Sequence, residues 1–170
     1  MGSEMCIRDS FQRVLQGRPL HRMLVANVHL PACGNYDVYE AAVDELKSTI
    51  WSAHSGSDVP RLCVAGDFNC NFEAHASESV GPVVKGAVHV DKSMLVLEML
   101  SDFNLTLVNT FGDLSTDDVW THRCPQGSLQ QIDFVACNFS VSSMECKVVL
   151  GLHANSDHRP LLLLLSLIHI

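Results

Sequence analysis

Hydrophobic residues fall along this chain in two rhythms. From Arg22 to His29 the run Met-Leu-Val-Ala-Asn-Val is nearly continuous and breaks at Leu30-Pro31, which predicts a buried strand running into a loop. From Asp37 to about His54 the apolar residues Val38, Ala41, Ala42, Leu46, Ile50 and Ala53 recur at helical spacing, with Asp37 placed to cap the helix. Ser55-Gly56-Ser57-Asp58 ends it. Leu62-Cys63-Val64-Ala65 is then short and apolar throughout, as a strand is inside a sheet covered on both faces. Glu73 to His89 follows neither rhythm. Asp91 can cap a second helix over Ser93–Asp102, with Met94, Leu95, Leu97 and Leu100 on its apolar side. Leu105–Val108 predicts a strand, and Val119–Thr121 and Ile132–Cys137 flank a Cys124-Pro125-Gln126-Gly127 turn as a hairpin-like pair. Leu161–Leu165 is far short of the ~20 apolar residues that span a bilayer and reads as a buried strand. Strand and helix alternating early, with hairpins late, give a mixed-sheet α/β protein.

The two ends carry a different kind of information. Met5-Cys6-Ile7-Arg8-Asp9-Ser10 can be encoded by a DNA string whose reverse complement encodes Leu165-Ser166-Leu167-Ile168-His169-Ile170. Two unrelated peptides are then one inverted DNA sequence, resembling the mosaic end that transposon-based sequencing libraries attach to fragments. Residues 1–10 and 165–170 are expected to be adapter-derived, and 11–164 to be the biological insert, a partial domain. Met1 is then no sign of a native start, and the lack of a recognisable leader carries no meaning.

Composition narrows the picture only a little. With 170 residues, 47% of them hydrophobic, the chain can bury one sizeable core. Its cysteines form no CxxC pair and no zinc spacing, so reduced thiols in an intracellular compartment, the nucleus among them, are expected. A net charge of −8 speaks against a freestanding nucleic-acid binder with a basic face, but a metal-using nuclease also concentrates carboxylates.

Three short segments carry the candidate chemistry: Gly66-Asp67-Phe68-Asn69, Gln131-Ile132-Asp133-Phe134 and Ser156-Asp157-His158-Arg159-Pro160. Each lies at the end of an apolar run. Together they supply three carboxylates, the Asn69 amide and an imidazole among their polar groups. Phosphodiester hydrolysis asks for such a set: a divalent cation to offset charge, a water to deprotonate and aim, and donors to hold the phosphate. Hard Mg²⁺ prefers oxygen ligands and needs only one or two carboxylates as anchors. Asp67 and Asn69 follow a strand, where α/β proteins place ligands, although Gly-Asp-x-Asn is also ordinary turn chemistry. An unpaired Asp133 inside Ile132-Asp133-Phe134-Val135 would be costly to bury, so it calls for a partner.

In this order the three segments resemble the C-terminal half of the endonuclease/exonuclease/phosphatase superfamily, whose fold is a DNase I-like four-layer α/β sandwich. The resemblance implies that Asp67 orients the attacking water, Asn69 binds the phosphate, Asp133 pairs with the catalytic His158, and Asp157 contacts the metal together with Asp67. His29, in Asn27-Val28-His29-Leu30, resembles a second histidine on the phosphate. The implied cofactor is Mg²⁺ or Mn²⁺, and the implied partner is a nucleic-acid substrate rather than a membrane. Asn109-Thr110-Phe111, Trp120-Thr121 and Gly127…Gln131-Ile132-Asp133 look like LINE-type or craniofacial-development-protein-like endonucleases, with Phe134 in place of the usual Tyr. His29 departs from that pattern and fits DNase-, deadenylase- and sphingomyelinase-like members better. The superfamily's main metal Glu, with an early Asn and a Tyr, belongs upstream, and Phe11–Val28 contains no carboxylate. The fragment is therefore expected to be marginally folded and nearly inactive alone.

The reading that follows is a divalent-metal-dependent phosphodiester hydrolase, an endonuclease from a retrotransposon-like reading frame. The alternatives are a phosphatase or phospholipase of the same fold acting on small phosphoesters, and a degenerate domain kept for binding. His54, His75, His89, His122 and His153 have no paired spacing and read as surface or loop residues, and Trp120 reads as core.

Overall fold

The computed structural model describes residues 10–15, 18–32, 34–53, 61–112, 118–139, 144–149 and 156–165. Most of both terminal hexapeptides lies outside these residues, as do His54 and His153. Ser10 and Leu165 are the outermost residues of paired strands.

Five strands make the main sheet: β1 (Ser10–Leu15), β2 (Arg18–His29), β3 (Arg61–Asp67), β7 (Asp133–Cys137) and β4 (Thr106–Leu107), in the spatial order β1-β2-β3-β7-β4. β2 and β3 run parallel, and the other neighbours are antiparallel. The parallel pair needs a crossover, and α1 (Tyr36–Ala53) supplies it. A second helix, α2 (Val90–Asp102), packs beside α1, where Lys47 reaches Asp102 at 2.7 Å and Glu98 at 3.2 Å.

Side chains alternate across the strands, so each strand feeds two cores. Leu24, Ala26, Val28, Leu62, Val64, Phe134 and Ala136 point to the helices and form the larger core with them. The other face carries Val25, Cys63, Ala65, Val135 and Cys137, covered by the ribbon of β8 (Met144–Val148) and β9 (Leu161–Leu165) through Cys146, Leu161 and Leu163. A third small sheet is the hairpin of β5 (His122–Arg123) and β6 (Leu129–Gln130). Layers of helix, sheet and smaller sheet are the architecture that the motif resemblance implies for part of the sandwich.

Several details differ from the periodicity. In α1 the buried stripe is Tyr39, Ala42, Val43, Leu46 and Ile50, while Val38 and Ala41 are exposed. The helix is rotated because Tyr39 can enter the core with its hydroxyl satisfied, donating to the Phe68 carbonyl at 2.6 Å. In α2 the buried residues are Ser93, Val96, Met99 and Leu100, and Met94 is exposed. Ser93 is tolerated inside because its hydroxyl bonds the Val90 carbonyl within the first turn. Asp91 sits in that first turn, but the N-cap position is His89, without a capping side-chain bond.

The predicted strand Leu105–Val108 shortens to Thr106–Leu107 and turns into a single 3₁₀ turn at Val108–Thr110. The hairpin forms, but Asp133–Cys137 pairs with β3 and β4 in the main sheet instead of with Val119–Thr121. Leu161–Leu165 is a strand, yet Leu162 and Leu164 are exposed, because the two-stranded ribbon is covered on one face only. His158 precedes that strand in an isolated bridge to His122. Among the described residues, no helix is long and apolar enough to cross a membrane.

Candidate active site

Strand register builds the site. His29 ends β2 opposite Asp67 at the end of β3, and Asp67 is opposite Asp133 at the start of β7. Three neighbouring strands thus bring one ionisable side chain each to the same edge of the sheet. By the alternation described above, all three lie on the face away from the helices. His29 Nε2 is 3.7 Å from Asp67 Oδ2, with His29 largely exposed and Asp67 largely covered.

Asp67 is held by its own turn. Its Oδ1 accepts the Asn69 N–H at 2.8 Å, and Asn69 adopts a left-handed backbone at φ 46°. Burial pushes the Asp67 carboxyl up, the Asn69 N–H opposes that, and the neighbouring Asp133 charge adds to the rise. Before this turn, Gly66 has φ 140°, and a Cβ there would lie 2.0 Å from the Val28 carbonyl oxygen. No residue with a side chain can approach β2 so closely. The Asn69 side chain donates to the Leu30 carbonyl at 2.8 Å, tying the β2 exit loop to the turn. Lys92, at the start of α2, adds contacts to the Pro31, Ala32 and Asn69 carbonyls at 3.3–3.4 Å.

Asp133 is positioned from three sides. Thr121 is fully buried, and its Oγ1 accepts the N–H groups of Ile132 and Asp133 at 3.1 and 3.0 Å. Asn109 donates to the Asp133 carbonyl and accepts the Val135 N–H, both at 3.1 Å. Gln131 reaches back to the Asn109 carbonyl at 3.3 Å. Motif resemblance draws attention to Asn109, Thr121 and Gln131; their work as struts under Asp133 becomes visible only in three dimensions.

The last segment arrives across a gap of 25 residues. His158 Nδ1 lies 3.0 Å from Asp133 Oδ2, so the carboxylate fixes the ring and leaves Nε2 pointing elsewhere. The segment is strapped to the β5 hairpin by Arg123 N–H to the Asp157 carbonyl at 2.9 Å and Arg159 N–H to the Thr121 carbonyl at 2.6 Å. Arg159 stacks on Trp120, its guanidinium carbon 3.3 Å from the ring centre, with Arg123 on the same ring at 5.2 Å. Trp120 is buried, as predicted, and serves as a platform for these two cations. A cavity of about 570 Å³ opens here, lined by Asn27, Gly66, Asp133, His158, Arg159 and Leu161 among others.

Ligand atoms of Asp67, Asp133 and His158 lie within 4.8 Å of one another, and so do those of His122, Asp157 and His158. The predicted metal pair Asp67 and Asp157 thus falls in two groups that meet at His158. The residues fit a divalent cation: Asp67 is a largely covered carboxylate raised above its ordinary range by burial and then by the Asp133 charge, and a cation bound to it would offset that charge. His122 is a correction to the sequence reading. It is mostly covered, its Nε2 is 3.5 Å from Asp157 Oδ2, and its ring centre is 4.7 Å from that of His158. Its spacing to Asp157 along the chain holds no periodic signal that would have revealed it.

Comparison with known proteins gives a consistent picture from structure alone. No protein-family model matches the chain, and no curated protein does. Among solved structures, an endonuclease/exonuclease/phosphatase family protein from Leptotrichia buccalis matches over 92% of this chain, at TM-score 0.54 and 14% identity. The 3′ phosphatase NExo from Neisseria, bound to a product DNA hairpin, matches over 95% at TM-score 0.59 and 14% identity. The endonuclease domain of TRAS1, a telomere-specific non-LTR retrotransposon, matches over 94% at TM-score 0.57 and 12% identity.

The fold is DNase I-like.

The chain spans 53%, 72% and 69% of those three proteins respectively. Within the DNase I-like fold, the row of His29, Asp67 and Asp133 and the His158 that meets it lie at one sheet edge, and the free thiols Cys63, Cys137 and Cys146 lie in the smaller core.

Proposed function

We propose that this domain is a divalent-metal-dependent phosphodiester hydrolase acting on nucleic acid, an endonuclease of retrotransposon type. The observation that carries the reading is the Asp133–His158 pair at 3.0 Å, seated beside Asp67 at the rim of a cavity. Asp133 holds the imidazole by Nδ1, so that Nε2 is the nitrogen able to exchange a proton with water or to donate to a phosphate oxygen. Asp67 accepts from the attacking water and aims it. Asn69, fixed by Leu30, and His29, exposed beside Asp67, hold the phosphate. Mg²⁺ or Mn²⁺, held by Asp67 and Asp157, supplies charge neutralisation for the phosphate oxygens when bound. Arg159 and Arg123, stacked on Trp120, put two cations next to His158 on an otherwise acidic chain.

Resemblance to the TRAS1 endonuclease domain and the Asn109, Trp120-Thr121 and Gln131-Ile132-Asp133 segments favour nucleic acid. A second reading, hydrolysis of small phosphomonoesters, is favoured by His29 beside Asp67 and by a mannosyl-6-phosphatase from Bacteroides thetaiotaomicron among the structural neighbours, at TM-score 0.55 and 14% identity. The deciding experiment compares nicking of supercoiled plasmid with phosphate release from phosphomonoesters, for this chain and for the reading frame that contains it. Nicking that chelator and His158→Ala both abolish supports the proposal. Hydrolysis that survives chelator, or that ignores His158→Ala, overturns it.

A further inference from the structure

We propose that His122, Asp157 and His158 form a binding site for a borderline divalent ion of the Zn²⁺ class, which uses neither Asp67 nor Asp133 and shares Asp157 with the proposed Mg²⁺ site. Their ligand atoms lie within 4.8 Å of one another. The His122 Nε2 to Asp157 Oδ2 distance is 3.5 Å, longer than an ordinary N–H···O hydrogen bond. It matches the ~3.3–3.4 Å edge between two ligands that each sit ~2.0–2.1 Å from a tetrahedral Zn²⁺. The ring centres of His122 and His158 are 4.7 Å apart, and because Asp133 takes Nδ1 of His158, an ion held by this ring would use Nε2. On His122 the other nitrogen, Nδ1, faces Cys124 Sγ at 3.8 Å.

Imidazole donors set the choice of metal. Two imidazoles and one carboxylate suit Zn²⁺ or Co²⁺, whereas Mg²⁺ and Mn²⁺ favour oxygen-rich shells. The three residues ride on backbone already zipped together by the His122–His158 bridge and the bonds on either side of it. Little ordering is left for the ion to impose. Asp157 is 64% exposed at its side chain, so the site opens to solvent on that side.

The site stands on this geometry alone. Its consequence for turnover rests on the proposed function: an ion on His158 Nε2 withdraws that nitrogen from the reaction, so Zn²⁺ inhibits Mg²⁺-supported hydrolysis. The test is titration of the full chain with Co²⁺, read by its visible ligand-field absorption, with Zn²⁺ as competitor. One Co²⁺ per chain is expected. His122→Ala and Asp157→Asn should each weaken binding by more than ~10-fold, while Asp67→Asn leaves it within a few-fold. Unchanged binding in His122→Ala, or equal loss in Asp67→Asn, overturns the site. If His122→Ala fails to fold, long-range ¹H–¹⁵N spectra of the unmodified chain decide the matter. Zn²⁺ must shift the ring nitrogens of both His122 and His158, and unshifted rings refute the proposal. Absent hydrolysis with intact Co²⁺ binding would count against the proposed function and leave the ion site standing.

Discussion

Asp67 and Asp133 are direct cross-strand partners, two carboxylates in register on β3 and β7. Burial first, and then the repulsion between like charges in that position, raises the Asp67 carboxyl above its ordinary range. The sign of the pH effect follows. Between the unfolded and the raised folded value the native state holds more protons, so stability falls as pH rises through that interval and stays lower above it. Asp67→Asn removes the cost. Its urea midpoint should exceed that of the parent at neutral pH without divalent ions, and the two should converge in acid. Identical midpoints at every pH would contradict this account.

Asp133→Asn keeps the shape of the His158 partner but offers an amide in place of the carboxylate. Substrate binding should change little while kcat falls by ~10²–10⁴-fold, the range for a positioned acid–base group. His158→Ala should fall as far, and the double variant no further, because the two act as a unit. Steady-state kinetics on a supercoiled-plasmid or oligonucleotide substrate decide it; additive losses would separate the pair.

Gly66→Ala should be poorly tolerated. The φ of 140° and the 2.0 Å approach to the Val28 carbonyl leave no place for a methyl group. Strain and overpacking together should cost about 2–6 kcal/mol, read from urea unfolding. A loss within ~0.5 kcal/mol, the range of an ordinary surface change, would show that β2 and β3 are not so close.

Thr121→Val keeps the volume and removes the acceptor for two backbone N–H groups, those of Ile132 and Asp133. Each orphaned group should cost ~1–3 kcal/mol. Activity should drop beyond what lost stability explains, since Asp133 loses its seat, and Thr121→Ser should recover most of it. Failure of Ser to rescue would point to packing in place of hydrogen bonding.

The candidate site was legible where it lay in contiguous motifs. Asp67, Asn69, Asp133, Asp157 and His158 stand out because they lie in three short motifs whose order resembles one superfamily, and burying Asp133 alone would be costly enough to imply a partner. Both helices and strands β2, β3, β7 and β9 followed from hydrophobic period, which is set by local backbone geometry, whereas β1 and β8 were not read from it. Which face of a helix is buried was decided otherwise: Tyr39 displaced Val38 because a carbonyl at Phe68, 29 residues away, could satisfy its hydroxyl. Likewise Asp133–Cys137 left its sequence neighbours for β3, where both faces could be covered. His122 joined the site through a backbone bridge to His158, and Asn109, Thr121 and Gln131 became struts beneath Asp133. Local preference acts over a few residues, whereas register and hydrogen-bond satisfaction couple positions far apart in the chain. The sequence alone therefore marked the candidate residues that lie in local motifs, and tertiary pairing decided which of them meet.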